Sequence, residues 1–182
     1  MGKKKEIQKK SQTNEDQETL VLDFSFPTSL VSVKINGFNN YMKDDNEAFH
    51  HINFCLNELS TLVAQATPAN LYQICKGHYH KLDDDKLLVF EKAVIEAYLK
   101  LYPQKSNINA KNFYDQNFKE TAIYQLGLQG GIRLLGYLHR KHHFKVVLID
   151  YHHTLYPSVK YNQDDIDRNN VCFYERGHYN GQ

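Results

Sequence analysis

Two apolar runs joined by a short basic turn are the feature that most constrains the fold of this chain. The first run spans residues 131–138 and the second spans residues 144–149, with five basic residues between them. Apolar runs of this length predict β-strands, and a short polar connection predicts that they pair antiparallel as a hairpin. Side chains alternate between the two faces of a strand. We therefore expect Phe144, Val146 and Leu148 on one face, and Lys145, Val147 and Ile149 on the other.

Helical periodicity appears in the first half of the chain. From Asp45 onward, apolar residues recur at steps of three and four, which predicts a helix with one apolar face. Thr67-Pro68 and Gly77 bracket a second, shorter helix, because proline suits the first helical position and glycine suits a helix end. Asp83 to Asp85 open a third helix that ends before Pro103. The apolar face of the first helix contains Phe49, Ile52, Leu56, Leu59 and Val63.

The remaining segments have weaker signals. Residues 20–26 and 30–35 alternate apolar with polar or small side chains, which indicates an N-terminal hairpin or one bent strand. Residues 104–117 are rich in Asn and Lys and are expected to form a loop. Residues 121–128 indicate a strand, residues 159–170 a polar loop, and residues 171–174 a short edge strand.

Together these elements predict an α+β fold, in which a helical N-terminal half packs on an antiparallel sheet built around the C-terminal hairpin. The chain has 182 residues, enough for one hydrophobic core without disulfides or metal. Residues 1–18 are polar, lysine-rich and without apolar periodicity, so we expect a disordered basic tail. Residues 19–182 are then expected to form a single α+β domain.

Charge and cysteine content narrow the functional class. The net charge of the chain is +1, and the first ten residues alone carry five lysines against one glutamate, so the remainder is net acidic. This balance disfavours a wide nucleic-acid interface, which requires many cations to neutralise phosphates. Three widely separated cysteines indicate neither a disulfide framework nor a zinc knuckle, and we expect a cytoplasmic protein. No apolar stretch is long enough to span a membrane.

A first group of candidate residues follows the second hairpin strand, and we call Asp150, His152, His153 and Tyr156 the strand-end cluster. Metal-independent RNA cleavage requires an imidazole acid or base, a carboxylate that orients it, and a phenol that donates a proton or stacks on a base. In this hypothesis His153 is the acid or base, Asp150 orients it, and Arg133 and Tyr156 contact phosphate or base. The alternative is structural, with Asp150 capping a turn, His152 solvated, and His153 and Tyr156 anchoring the strand end.

A second group lies in the hairpin turn, and we call His139, Arg140, Lys141, His142 and His143 the turn cluster. About seven residues of strand separate it from the strand-end cluster, a distance of about 20 Å, so the two cannot form one site. The turn cluster is either a solvated loop or a set of phosphate contacts. In the second case Arg140, Lys141, His142 and His143 bind nucleic acid.

The histidines also allow a metal-binding interpretation. A metal site would join His142 or His143 to His78 and His80, because residues two apart on a strand share a face. Nothing in the sequence fixes the relative position of these two pairs. His50 and His51 are not interpreted as ligands, and we expect no metal and no cofactor.

The hairpin sequence and the residues after it resemble the second halves of a group of small uncharacterised bacterial proteins. Their pattern is Arg-x-x-Gly, a strand pair and then Asp-x-x-His-x-Leu-Tyr, matched here from Arg133 and from Asp150. Phe24-Ser25-Phe26 and the helix from Asp45 also recur in that group, which often has proline where this chain has Tyr151. The resemblance implies a bacterial accessory protein of mobile or defence loci, without an established activity. The hairpin ending also resembles RelE-type ribonuclease toxins, which are usually shorter and more basic.

Two functions follow from the sequence. The first is a non-catalytic interaction module of a bacterial defence or mobile-element system that binds a protein partner. The second is a metal-independent, ribonuclease-like toxin that acts on RNA through Asp150, His153 and Tyr156. The near-neutral body favours the first, and the clustering of these three residues favours the second. The sequence does not predict the oligomeric state.

Overall fold

The computed structural model of the chain describes residues 19–67, 69–75, 77–127, 131–140, 142–157 and 166–177. The predicted disordered tail at residues 1–18 and most of the predicted loop at 159–170 lie outside these residues. Seven strands are present among the described residues. They are β1 (Val21–Asp23), β2 (Lys34–Ile35), β3 (Phe38–Asn39), β4 (Tyr79–Lys81), β5 (Tyr124–Leu126), β6 (Arg133–His139) and β7 (His143–Asp150).

The helices fall into an N-terminal, a central and a C-terminal group. A continuous helical stretch begins with α1 (Asp45–Asn53), passes through a π-helical segment (Phe54–Leu59) and ends with α2 (Ser60–Val63). The others are α3 (Leu71–Ile74), α4 (Asp84–Leu101), α5 (Asn107–Phe118), a 3₁₀ turn (Ile166–Arg168) and α6 (Phe173–Gly177). No described helix is long and apolar enough to cross a membrane.

The main sheet has five strands in the order β1-β7-β6-β5-β4, and β2 with β3 forms a separate hairpin. The predicted antiparallel hairpin of β6 and β7 is confirmed. The sheet as a whole is mixed, however, because β1 pairs parallel to β7, with Val21 opposite His143. The prediction of a purely antiparallel sheet is therefore wrong at this edge. Neither the hairpin nor the single bent strand predicted for residues 20–26 and 30–35 forms, since β1 joins the main sheet and β2 pairs with β3.

Both faces of the sheet are covered by helices. One face packs on the α1 to α3 region through Cys55, Leu59, Val63 and Leu71. The other packs on α4 and α5, which contribute large apolar side chains to a second core. The architecture is therefore a helix–sheet–helix sandwich of the α+β class, as the sequence predicts. The second core includes Phe90, Val94, Tyr114, Phe118, Leu135 and Leu148.

A β-bulge interrupts the central hairpin. Leu135 lies opposite Leu148 while the next residue, Gly136, lies opposite Val146, so Val147 is the additional residue on β7. An additional residue reverses the alternation of side chains beyond it. Consequently Ile149, rather than Leu148, shares the core of Phe144 and Val146. The predicted face assignment is correct before the bulge and wrong after it.

The helix predicted from Asp45 to Val63 forms over its full length, but its apolar face differs from the prediction. A π-helical turn contains more residues than an α-helical turn, so the face that meets the core shifts along the helix. Ala48, Cys55, Leu59 and Val63 are buried. Phe49 and Leu56, predicted to be buried, are 68% and 61% exposed.

Three other predictions are wrong in whole or in part. The segment 104–117, expected as a loop, contains most of α5, whose first turn is fixed by a capping box between Ser106 and Asn109. The segment 171–174 is not an edge strand, because Val171 makes one isolated bridge with Met42 and α6 follows from Phe173. The predicted helix after Thr67 is reduced to α3, and its N-cap is Asn70.

Candidate functional site

Arg133 and Asp150 lie directly opposite each other where β6 begins and β7 ends. Both side chains are buried, with Arg133 1% and Asp150 0% exposed. Strand alternation places them on the same face as Leu135 and Leu148, which is the face covered by α4 and α5. Ionisable residues are seldom fully buried unless their polar atoms find partners. The polar groups that surround Arg133 and Asp150 therefore form the centre of the site.

The carboxylate of Asp150 holds the loop that follows β7. Its Oδ1 accepts hydrogen bonds from the backbone N–H and the hydroxyl of Thr154, at 2.9 and 3.1 Å, and a longer one from the His152 N–H. Its Oδ2 accepts from the Leu155 N–H at 2.8 Å. Burial raises the pKa of Asp150, while these hydrogen bonds act in the opposite direction. Asp150 thus fixes the loop that carries His153.

His153 adopts a left-handed backbone conformation, with φ of 58°. This conformation is uncommon for residues other than glycine, and His is among those that adopt it more often. The His153 side chain is half-buried and lies close enough to Asp150 and His78 to affect their pKa values electrostatically. If Asp150 orients His153, it does so indirectly, by fixing the backbone of the loop that carries His153.

His78 joins this group from just before β4. Its Nδ1 lies 3.5 Å from Nη2 of Arg133, a long contact. Arginine only donates hydrogen bonds, so this nitrogen of His78 carries the lone pair and Nε2 carries the proton. Burial lowers the pKa of His78, and the charges of Arg133 and His153 lower it further. His78 is therefore a neutral imidazole at pH 7 whose Nε2–H can donate.

His80 and Tyr156 form the outer part of the site, which we call the strand-end site and which comprises Arg133, Asp150, His153, Tyr156, His78 and His80. The His80 ring meets the Tyr156 ring edge-on, with 5.1 Å between centroids. The Tyr156 hydroxyl donates to Asp83 Oδ2 at 3.3 Å, next to the start of α4. Burial raises the pKa of Tyr156, so the phenol stays protonated at neutral pH. Gln125, which is buried on β5, contacts His80 Nε2 at 3.2 Å.

His152 does not belong to this site, although it belongs to the strand-end cluster in sequence. Its side chain is buried rather than solvated, and its Nε2 lies 2.7 Å from the carbonyl oxygen of Tyr41. The ring also meets His51 of α1 edge-on. His152 and His153 therefore have different surroundings, one toward α1 and the other toward β4.

The turn cluster lies at the far end of the hairpin, where His139 pairs with His143. Arg140 is exposed and has a left-handed φ of 51°. The His142 carbonyl accepts a hydrogen bond from Val21 of β1 at 2.8 Å. Lys141 lies outside the described residues. The predicted separation from the strand-end residues holds, while nucleic-acid binding by Arg140, Lys141, His142 and His143 stays a prediction.

The structure separates the histidine pairs that the metal interpretation joined. His78 contacts Arg133, where β6 begins, whereas His143 starts β7 at the opposite end of that hairpin. His78 and His80 instead join the strand-end site, which the sequence analysis missed. The H-x-H spacing was visible in the sequence, but the pairing of β4 with β5, which sets His80 opposite Gln125, was not.

Chemically, the strand-end site combines a buried cation, three imidazoles and a phenol beside a sheet end. Imidazole can act as an acid or a base near neutral pH, and arginine complements phosphate. A neutral histidine donor can bind a phosphate oxygen, and an aromatic ring can stack on a base. The arrangement suits binding and transfer chemistry at a phosphodiester.

Comparison with known proteins places the chain in a family. Residues 25–178 match the family described as Uncharacterised protein UU032. The chain belongs to the UU032 family. It is 26% identical over 169 residues to the uncharacterised protein UU032 of Ureaplasma parvum serovar 3 (strain ATCC 700970), covering 90% of this chain and 85% of the relative. No solved structure matches the chain.

The predicted resemblance to a small uncharacterised bacterial family is thereby confirmed at that level. The UU032 match spans all residues of the strand-end site and the α1 helix, and it begins just after β1.

Proposed function

We propose that this protein cleaves RNA at the strand-end site without a metal ion. The observation that carries the proposal is the convergence of His78, Arg133 and His153 from three separate segments, with 3.5 Å between His78 and Arg133. RNA supplies its own nucleophile in the 2′-hydroxyl group, so the protein needs only to move protons and stabilise charge. The near-neutral body of the chain suits a single phosphate rather than a long nucleic-acid interface.

In this proposal His153 removes the proton of the 2′-hydroxyl, and the 2′-oxygen attacks phosphorus to form the cyclic phosphate. The bond from phosphorus to the 5′-oxygen breaks as that oxygen takes a proton from water. Asp150 is a positioning residue that holds the His153 loop through backbone hydrogen bonds. The Nε2–H of His78 donates to a phosphate oxygen, and the charge of Arg133 lies behind it. A charge acts more strongly in a poorly solvated site than in water. Tyr156 offers a half-buried aromatic ring on which a base can stack.

Cleavage of a mixed RNA pool in excess EDTA tests the proposal. Asparagine tolerates left-handed backbone better than most residues, so His153→Asn is the variant least disturbing to the loop. We expect wild-type protein to leave 2′,3′-cyclic phosphate ends, and His153→Asn and His78→Ala to lose activity by a factor of about 100 or more. The matched control is His139→Ala, an exposed histidine at the other end of the hairpin. An inert wild type, or a fully active His153→Asn, would refute the proposal.

The resemblance to the small uncharacterised bacterial group extends this proposal to a role in mobile or defence loci, and the resemblance to RelE-type toxins suggests that the role is that of a toxin. Three buried free cysteines fit a protein that works in the reducing cytoplasm. We expect induced expression of the wild-type chain in a bacterial host to arrest growth. His153→Asn, made to the same level, should allow growth. Equal toxicity of the two proteins would show that the growth arrest is not caused by RNA cleavage through His153.

A second candidate function, the binding of a protein partner, is favoured by a surface that we call the α1 apolar face. It consists of Leu30, Phe49, Ile52 and Leu56, and three of these side chains are 43% to 68% exposed. A cavity of about 230 Å³ opens beside it, lined almost entirely by apolar atoms. Exposed apolar surface next to a pocket is typical of helix-binding grooves. We propose an amphipathic helix of a partner protein as the occupant, with one large side chain in the cavity.

Leu56 and Leu88 provide a matched pair of variants for this candidate, because each is 61% exposed on a helix. Leu56 lines the cavity, whereas Leu88 lies on α4. A protein that co-purifies with the wild type should be lost with Leu56→Asp and retained with Leu88→Asp. Retention of the same protein by both variants would exclude the α1 apolar face as its binding site.

A further inference from the structure

Three ligand-type side chains meet on the side of the sheet away from the strand-end site. Glu47 and His51 come from α1, and His152 comes from the loop after β7. One carboxylate oxygen and one ring nitrogen of each histidine all lie within 4.8 Å of one another. Residues four apart on a helix share a face, so Glu47 and His51 lie on the same face of α1. The third residue is added only by the tertiary fold.

The surroundings of the His152 ring suit metal coordination. Nε2 of His152 lies 2.7 Å from the Tyr41 carbonyl oxygen, which only accepts hydrogen bonds. It also lies 3.1 Å from Nδ2 of Asn169, but that amide donates to the same carbonyl at 3.2 Å, so the shorter contact places the proton on Nε2 and leaves the lone pair on Nδ1. A histidine ligand usually donates its other ring N–H to a carbonyl or carboxylate in this way.

The ring nitrogens of His51 and the carboxylate of Glu47 also suit a bound metal ion. Neither ring nitrogen of His51 is hydrogen-bonded within the part of the chain that the structure describes, although both are buried. Glu47 uses Oε2 to accept from the Lys43 N–H at 2.5 Å, and Oε1 lies 3.8 Å from His51 Nε2. A buried polar atom without a partner carries an energetic cost that a bound ion would remove. In Glu47, Oε2 is therefore held by the Lys43 N–H, while Oε1 lies on the side of His51.

We propose that Glu47, His51 and His152 bind a divalent transition-metal ion, with Zn²⁺ as the best fit. Two imidazoles and one carboxylate form a recognised zinc ligand set, in which water completes the tetrahedron. Ligand atoms of a tetrahedral zinc ion lie about 3.3 Å apart, so the three side chains close around the ion by small rotations. The proposal departs from the sequence expectation, which included no metal and did not interpret His51 as a ligand.

Such an ion would connect α1 to the loop that carries His153. His152 is the residue before His153, and Asp150 already fixes the other contacts of that loop. The ion would thus stabilise the loop from the side opposite the strand-end site. This role is structural and does not depend on the proposed RNA cleavage, which proceeds in EDTA.

Zinc titration of the full chain, stripped with EDTA and dialysed, tests the site by calorimetry and thermal unfolding. We expect one tight Zn²⁺ per chain and a rise in Tm of at least about 5 °C at saturating metal. Glu47→Gln keeps an oxygen for the Lys43 contact, and His51→Phe keeps a ring against Tyr151, so both variants should fold. Each should weaken zinc binding by a factor of at least about 10 to 100.

His50→Ala is the control for unspecific binding, because His50 is the exposed neighbour of His51 on the same helix. It should bind zinc as tightly as wild type, and Mg²⁺ should not compete, since imidazole ligands favour transition metals. The proposal is overturned if the wild type binds zinc no more tightly than His51→Phe. It is also overturned if His50→Ala loses the site.

Discussion

Oδ2 of Asp150 accepts a hydrogen bond from the backbone N–H of Leu155 at 2.8 Å, five residues further along the chain. The other carboxylate oxygen is occupied by Thr154. This fully buried carboxylate therefore accepts the hydrogen bonds of two backbone N–H groups, as backbone carbonyl oxygens do in regular structure. It determines the path of the loop on which both His152 and His153 lie.

Replacing Asp150 by asparagine should destabilise the protein. The amide nitrogen of Asn is a donor and would face a backbone donor, either Leu155 N–H or Thr154 N–H, which then loses its acceptor. An unsatisfied buried donor costs about 1–3 kcal/mol, and we expect a loss of this size in the free energy of unfolding. Urea denaturation at pH 7 measures it. Unchanged stability would mean that the loop does not depend on the carboxylate.

His51 should make the metal-free protein sensitive to acid. Its pKa is lowered from 6.5 to about 4 by burial, so the folded state binds a proton less tightly than the unfolded state. Stability contributed by neutral His51 is complete above pH 6.5 and is lost as the pH falls toward 4. The full difference corresponds to about 3 kcal/mol.

The His51→Phe variant isolates this contribution. In EDTA, its free energy of unfolding should fall by about 3 kcal/mol less than that of wild type between pH 7 and pH 4. Urea denaturation at several pH values gives both curves. Parallel curves would show that His51 is protonated as readily in the folded state as in the unfolded state.

Gly136 should not tolerate a side chain. A Cβ atom there would lie 2.0 Å from the carbonyl oxygen of Lys145, whereas one at Gly131 would meet nothing closer than 3.5 Å. Because the clash is with backbone at the bulge, Gly136→Ala should cost about 3 kcal/mol or more. Gly131→Ala is the matched control and should stay within about 0.5 kcal/mol of wild type. Equal stability of the two variants would contradict the bulge geometry.

The three cysteines should be inert in the folded protein. All are buried, and burial raises the pKa of Cys55 to about 12 and of Cys75 to about 11. The thiolate is the reactive form, so a thiol reagent at pH 8 should modify the native chain far more slowly than the urea-unfolded chain. Rapid modification of one thiol under native conditions would indicate local opening around that residue.

Local patterns in the sequence predict the elements whose partners are close along the chain. The β6–β7 hairpin and α4 are correct because apolar spacing and chain breaks determine them within a short window. The sequence pattern does not predict the α5 helix, because its core residues, such as Tyr114 and Phe118, stand among asparagines and other polar residues. The serine at 106 and the asparagine at 109 were a usable signal, since together they form the capping box.

The candidate sites are harder to predict, because they depend on pairing between distant segments. His78 approaches Arg133 only through the order of β4, β5 and β6 in the sheet. His152 and His153 turn to different partners because of the left-handed backbone at His153, which no residue pattern indicates. The shift of the helix face that meets the core likewise comes from a π-helical segment within a regular apolar repeat.

The parallel pairing of β1 with β7 has a consequence for synthesis on the ribosome. Val21 emerges early, but its partner His143 is separated from it by most of the chain. Contacts so distant in sequence slow folding, because the intervening chain must be ordered before they form. During translation β1 therefore has no partner strand until β7 has left the ribosomal exit tunnel. A nascent chain truncated before β7 therefore cannot complete the edge of its sheet.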